Sequence, residues 1–118
     1  MRQTILVIEK DRQIRETVAC MLEAISYRAV GFGSMQRALL AMQGVMFDAI
    51  IVGSNATSSI ESSDPEEAKS VQPGIKIIIA TGAILPRSLS LHADAVLYKP
   101  FGLNELAATL GALLKKPD

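Results

Sequence analysis

The sequence predicts a three-layer α/β/α domain built on a doubly wound, five-stranded parallel sheet with strand order 2-1-3-4-5. Four short aliphatic runs, at 5–8, 49–52, 75–80 and 95–98, lack polar alternation, which is typical of strands covered on both faces. A weaker run at 28–32 adds a fifth strand. Helical patterns alternate with these runs, which favours parallel strands joined by right-handed crossovers. The 118 residues fit one domain, 1–118, with a core from 4 to 114.

The predicted helices have recognisable starts. Asp11 and Ser34 are placed to cap the first two helices. The sequence Asp64-Pro65-Glu66-Glu67 combines a capping acid, a proline suited to the first turn and acids that favour the helix dipole. We expect a long loop at 54–63 and only a short or irregular helix at 84–92, because Pro86 interrupts it. The last helix has an apolar face made of Leu103, Leu106, Ala107, Leu110, Leu113 and Leu114.

Composition excludes several classes of function. The net charge is zero, so there is no bulk electrostatic attraction to nucleic acid or to an anionic membrane. No apolar run approaches the roughly 18 residues of a membrane span. Cys20 is the only cysteine, which precludes an internal disulfide and favours a reducing compartment. We therefore expect a cytoplasmic protein that contacts neither nucleic acid nor membrane directly.

The residues at the ends of the predicted strands meet at one edge of the sheet. In a doubly wound sheet this carboxyl edge is where ligands bind and chemistry occurs. We expect one cleft there, surrounded by Glu9, Lys10, Gly53, Thr81 and Lys99. Gly53 is unusual, because it offers no side chain at a position where a reactive group is normally found.

Four segments carry a resemblance to a known family. They are TILVIEKDRQIRETV, FDAIIVG, IIIATGA and ADAVLYKPFGLNELAATL. Together they resemble the receiver domain of response regulators, the phosphoacceptor module of two-component signalling, over the chain from Thr4 to Leu114. The last segment is the most specific, because it combines an Ala-Asp-Ala lead, an apolar strand, Lys-Pro-Phe and a Glu-Leu helix start. The family has a flavodoxin-like fold.

The resemblance implies a role for each strand-end residue. In the family, two acids after the first strand hold magnesium and an aspartate after the third accepts the phosphoryl group. A hydroxyl and a lysine after the last two strands contact the phosphoryl oxygens, and Thr81 and Lys99 fall on these positions. Glu9 falls on the first acid. Lys10 falls on the second acid with reversed charge, and Gly53 falls on the phosphoacceptor aspartate.

These departures remove the phosphoacceptor and one of the two magnesium-holding acids that the family's reaction uses. Glycine cannot accept a phosphoryl group, and a lysine cannot ligate magnesium. We therefore expect no catalytic residue, no enzyme activity, and no magnesium or other cofactor. The resemblance also makes Pro100 a candidate cis-proline, because the corresponding bond is commonly cis in the family.

Other interpretations of the same residues remain open. A register shift of one would place Ser54 on the acceptor position and Asp11 on the metal position, although the run at 5–8 argues against it. Lys10 is either a surface lysine or an ammonium that takes the metal's place beside Glu9. The Thr81-Gly82 pair fits a plain turn, and Lys99 fits a solvated strand end. Tyr98 and Phe101 are interpreted as packing residues.

The leading functional hypothesis is a bacterial pseudo-receiver, a signalling module of a two-component or phosphorelay pathway that works by protein contacts without aspartyl phosphorylation. One alternative is a receiver with an unorthodox but working phosphoacceptor site. Another is a flavodoxin-like small-ligand-binding domain. The sequence has no glycine-rich phosphate loop after the first strand, which argues against this alternative. Expected partners are a histidine kinase, an output domain, another regulator or a second copy. An eroded helix would expose Leu85, Leu89 and Leu91 for such contacts, unless they fold back onto the sheet.

Overall fold

The computed structural model of the chain describes residues 2–54, 64–82, 84 and 93–114. The predicted loop at 54–63 lies outside the described residues except for Ser54, which belongs to a strand. The predicted helix at 84–92, with Leu85, Leu89 and Leu91, lies outside them except for Ile84. The described elements are β1 (Thr4–Ile8), α1 (Arg12–Ala24), β2 (Arg28–Phe32), α2 (Met35–Met42), β3 (Ala49–Ser54), α3 (Asp64–Val71), β4 (Lys76–Thr81), β5 (Ala95–Tyr98) and α4 (Leu103–Leu113).

The strands form one parallel sheet in the order β2-β1-β3-β4-β5, which confirms the predicted topology. In this register Ile8 is level with Val52 on β3. Gly53 is level with Ala80 on β4. Gly53 and Thr81 lie inside their strands rather than after them, because β3 and β4 continue to pair as far as Ser54 and Thr81.

Two apolar clusters cover the two faces of the sheet, so the fold has three layers. Alternate strand residues point to opposite faces, which divides each aliphatic run between the clusters. On one face, β1, β3 and β4 pack against α2 and α3 through residues that include Leu6, Ile50, Ile77, Ala38 and Ala68. On the other face the same strands and β5 pack against α1 and α4 through Val7, Ile51, Leu97, Leu22 and Leu106, among others.

The predicted helix starts are confirmed where the structure describes them. The Asp11 carboxylate accepts a hydrogen bond from the Ile14 backbone N–H at 3.1 Å, and Ser34 Oγ accepts one from the Arg37 N–H at 3.3 Å. These bonds satisfy N–H groups that have no partner within a helix. α3 begins at Asp64, as its acid and proline indicate.

Two predicted packing positions are wrong. Tyr98 is 59% exposed, because on the edge strand β5 it points away from the face on which Leu97 is buried. Leu103 is 45% exposed, because it lies in the first turn of α4. The buried contacts of α4 begin one turn later, at Leu106 and Leu110.

Aspartates fix the amino ends of two neighbouring strand pairs in the same way. Asp48 accepts a hydrogen bond from the Thr4 N–H through its carboxylate at 2.8 Å, and its own N–H donates to the Thr4 carbonyl at 2.9 Å. Asp94 makes the equivalent pair of bonds with Ile77, both at 2.7 Å. Each aspartate thereby fixes the alignment of the strand that follows it against its neighbour.

A buried glutamine connects α3 to the segment between α2 and β3. Gln72 is 2% exposed, and its Oε1 accepts a hydrogen bond from the Phe47 N–H at 2.9 Å. Its Nε2 donates to the carbonyls of Met42 and Val45 at 2.8 and 2.6 Å. All the polar atoms of this side chain therefore have partners. None of the helices in the described part of the chain has the length and apolar character that a membrane span requires.

Candidate functional site

The carboxyl ends of β1 and β3 lie so close that the Glu9 side chain fills the space above Gly53. A Cβ atom built on Gly53 would lie 2.7 Å from Glu9 Oε1, a separation that real Cβ atoms essentially never show, and 3.3 Å from the Ile8 carbonyl oxygen. Gly53 does not have a positive φ. Glycine is therefore favoured here by the close approach of Glu9 and not by backbone conformation.

The Glu9 carboxylate forms an ion pair with Lys99, which directly follows β5. Lys99 Nζ lies 3.2 Å from Glu9 Oε1. The Glu9 side chain is 3% exposed and the Lys99 side chain 22% exposed. The second carboxylate oxygen accepts a hydrogen bond from the Asp11 N–H at 3.3 Å. A buried carboxylate needs such partners, because its transfer from water without them costs on the order of several kcal/mol.

Arg15 on α1 holds the backbone at Glu9. Its guanidinium donates a hydrogen bond to the Glu9 carbonyl oxygen at 2.8 Å. Its aliphatic stem lies on Gly31 of β2, where an added Cβ would be 2.9 Å from Arg15 Cγ. Sequence reasoning missed this residue. The available indication was the pair Gly31 and Gly33 at the end of a strand, which leaves room for a long side chain to cross.

The other predicted site residues differ in position. Thr81 is 1% exposed, and its carbonyl accepts a hydrogen bond from the Lys99 N–H at 2.8 Å. Lys10 is exposed and forms no ion pair with any residue that the structure describes. The hypothesis that Lys10 takes the metal's place beside Glu9 is therefore wrong, since Lys99 makes that contact. The Lys99–Pro100 peptide bond is cis, as predicted.

The acidic groups near this edge are already engaged. Glu9 is paired with Lys99, and Asp11 caps α1 through the Ile14 N–H. Within the described ranges, no three His, Cys, Asp or Glu side chains come together to hold a metal ion.

A cavity of about 450 Å³ opens beside the Glu9–Lys99 pair. Its floor is the sheet, at Val7, Ile51 and Ala80, and one wall is the apolar face of α1. The opposite wall is formed by Lys99, Pro100 and Phe101, and its polar end reaches Glu9 and Gly53. Phe101 is half-buried against the core on this face, as predicted for a packing residue. The site is therefore an ion pair at the rim of an apolar space.

Comparison with known proteins identifies the fold. No family model and no curated protein matches the chain. Among solved structures, the response regulator TrrA from Thermotoga maritima, in complex with Mg²⁺–BeF, is 25% identical with a TM-score of 0.82 over 95% of this chain and 99% of that chain. The receiver domain of a sensor histidine kinase from Pseudomonas aeruginosa, with a magnesium ion in its active-site cleft, is 22% identical with a TM-score of 0.83 over 98% of this chain and 100% of that chain.

An orphan response regulator of H. pylori is 18% identical with a TM-score of 0.82, over 98% of this chain and 100% of that chain. The match extends over nearly the whole length of each protein, and the sheet order is the one predicted. The chain therefore has the fold of the response-regulator receiver domain.

Proposed function

We propose that this chain is a receiver module of a two-component pathway that acts through protein contacts without aspartyl phosphorylation. The observation that carries the proposal is the position of the Glu9 carboxylate, which fills the space above Gly53 and pairs with Lys99. Position 53 has no nucleophile. The lysine that the resemblance assigns to phosphoryl oxygens already has a carboxylate partner within the chain.

The Glu9–Lys99 ion pair supports a surface around β5 that stays in one state rather than one that switches on phosphorylation. In phosphoryl transfer, a cation stabilises charge on the transferred oxygens. Here the Lys99 ammonium is paired with the carboxylate of Glu9, whose side chain is 3% exposed. Glu9 follows β1 and Lys99 follows β5, so the pair spans the central strands. A permanent internal carboxylate gives Lys99 a partner at all times, so the surface around β5 does not depend on an incoming phosphoryl group.

Magnesium has no place in this mechanism. The second acidic position of the family is Lys10, whose positive charge repels a dication. The carboxylates on either side of it in the sequence, Glu9 and Asp11, make the hydrogen bonds given above. We expect magnesium affinity to be weaker than millimolar.

Treatment with acetyl phosphate and magnesium tests the proposal. Intact-mass spectrometry of the unmodified protein should find no phosphoryl adduct, and calorimetry should find no magnesium binding at millimolar concentration. The double substitution Lys10→Asp with Gly53→Asp should recover more magnesium binding than either single change. Adding Glu9→Asp should recover still more, because the shorter side chain leaves room for a Cβ at position 53.

A matched control places the new carboxylate at a neighbouring strand end. Gly82→Asp replaces Gly53→Asp in the triple variant, at a glycine where an added Cβ meets no atom of the described residues within 4 Å. This control should remain unphosphorylated. Phosphorylation of the unmodified protein, or magnesium binding to it near millimolar concentration, would contradict the proposal. A triple variant no better than the double would contradict the role given to Glu9.

The partner in this proposal is a protein, either a histidine kinase, an output domain, another regulator or a second copy of the chain. Exposed apolar side chains support contacts of this kind, since Leu40 is 68% exposed, Met46 is 77% exposed and Ile84 is 94% exposed. Static light scattering over a range of protein concentrations distinguishes self-association from a foreign partner. A monomer at every concentration would exclude the second copy.

A further inference from the structure

The cavity between α1 and the segment after β5 has the size and lining of a small-ligand site. Its volume of about 450 Å³ lies within the range of roughly 300–1,000 Å³ that is usual for such sites. The sheet closes it below, and α1 and Phe101 close it on two sides. Ala80 on the floor contributes only a methyl group, which leaves the space open down to that strand.

The apolar lining is only half covered by the protein itself. Ile14 and Met21 of α1 and Phe101 opposite them are half-buried, although all three pack against the core on this face. An apolar body placed between them would remove the rest of their surface from water, which is favourable. The walls therefore favour a hydrocarbon or aromatic group.

The polar end of the cavity favours an anion. Lys99 is 22% exposed whereas its partner Glu9 is 3% exposed, so the lysine is the more accessible partner of the ion pair. These two side chains are the charged groups among the described residues that line the cavity. A ligand carboxylate at the rim is attracted to the lysine, whereas a ligand ammonium is repelled by it.

We propose that this cavity binds a small apolar monocarboxylic acid. The hydrocarbon body lies between α1 and Phe101, and the carboxylate lies beside Lys99, whose ammonium has three donors and keeps its bond to Glu9. This inference goes beyond the proposed signalling function and does not require it, because ligand binding and phosphorylation are measured separately. It gives the module a chemical input at the site where the resemblance would place a phosphoryl group.

Binding of decanoate to the full chain tests the proposal, with decanol and decylamine as probes of the head group. Calorimetry is done below the concentration at which decanoate forms micelles. Decanoate should bind about tenfold more tightly than decanol, as a charge-assisted hydrogen bond predicts, and decylamine should not bind. Amide shifts in the spectrum of the ¹⁵N-labelled protein should change along α1 and at Phe101. Equal affinities for the three compounds, or shift changes elsewhere only, would overturn the proposal.

Substitutions locate the site. Ile14→Trp places a larger side chain in the cavity wall and should abolish decanoate binding. Leu40→Trp is the matched control, since Leu40 is 68% exposed on α2 and does not line the cavity. It should bind decanoate as the unmodified protein does. Lys99→Gln should weaken decanoate about tenfold and leave decanol nearly unchanged. If Ile14→Trp does not fold, the head-group comparison and the shift map on the unmodified protein still decide the outcome.

Discussion

The substitution Gly53→Ala tests the central feature of the site, the occupation of the space above Gly53 by the Glu9 carboxylate. The new Cβ would lie 2.7 Å from Glu9 Oε1, where ordinary contact begins at 3.4 Å, so the carboxylate must retreat by about 0.7 Å. A retreat of that size away from Lys99 lengthens the 3.2 Å pair to about 3.9 Å. The hydrogen bond between Glu9 and Lys99 is then lost.

The expected cost follows from two opposing effects. A hydrogen bond to a charged group contributes about 1.5–3 kcal/mol to the free energy of unfolding. The Gly→Ala change restricts the unfolded chain, which adds about 0.4–1 kcal/mol of stability. Gly53→Ala should therefore destabilise the protein by about 1–2 kcal/mol.

Urea unfolding followed by far-ultraviolet circular dichroism measures this cost, because the chain has no tryptophan for fluorescence. The midpoint should fall by roughly 0.5–1 M urea. Gly82→Ala is the matched control, because an added Cβ there meets no atom of the part of the chain that the structure describes within 4 Å. In the Glu9→Asp background, Gly53→Ala should cost no more than this control, because the shorter side chain no longer reaches the new methyl group.

The coupling between the two positions decides the result. The double-mutant cycle of Glu9→Asp and Gly53→Ala should give an interaction free energy of about 1 kcal/mol or more. If Gly53→Ala costs the same in both backgrounds, Glu9 does not occupy the space above Gly53. The explanation given for the glycine is then incorrect.

Three further substitutions test other parts of the fold. Gln72→Ala removes three hydrogen bonds, two of them buried, and should lower the free energy of unfolding by roughly 2–4 kcal/mol, whereas Gln43→Ala, at an exposed residue, should change it little. Gly111→Ala, on α4, should raise the free energy of unfolding by about 0.5–1 kcal/mol, because an added Cβ meets none of the described atoms within 4 Å. Any loss of stability would contradict the packing described. Burial raises the pKa of Tyr27, so its neutral phenol stabilises the folded state below about pH 10 and this contribution is lost as the pH rises further. With Tyr27→Phe, the free energy of unfolding measured in urea should fall less steeply above that pH. Tyr98→Phe is the control, because the Tyr98 side chain is 59% exposed.

Local patterns predicted the fold well. Buried aliphatic runs determine which segments become strands, and capping side chains act within three residues, so Asp11 and Ser34 could be assigned from their neighbours. The predicted packing of Tyr98 failed for a physical reason. The outer end of an edge strand has one covered and one open face, and composition does not distinguish them.

The site was harder to predict, because its contacts join distant parts of the chain. Glu9 and Lys99 are 90 positions apart, and their pairing depends on how far a glutamate reaches across the central strands. The sequence did indicate that Gly53 lacks a side chain, but the carboxylate that fills its place belongs to Glu9, which follows another strand, β1. Lys10 was a reasonable candidate for the ion pair with Glu9, because it follows Glu9 directly in the sequence. Its side chain is nevertheless exposed.

The aspartates at the amino ends of the strands have a consequence for how such a domain can evolve. Asp48 and Asp94 determine strand alignment at one edge of the sheet, through bonds to Thr4 and Ile77. The residues that would carry chemistry lie at the opposite edge, a full strand length away. Substitutions at that edge can therefore accumulate, or be introduced by design, while the chain still selects the same alignment. The residues that determine strand alignment and the residues that would carry chemistry lie at opposite ends of the same strands, so either set can change while the other is kept.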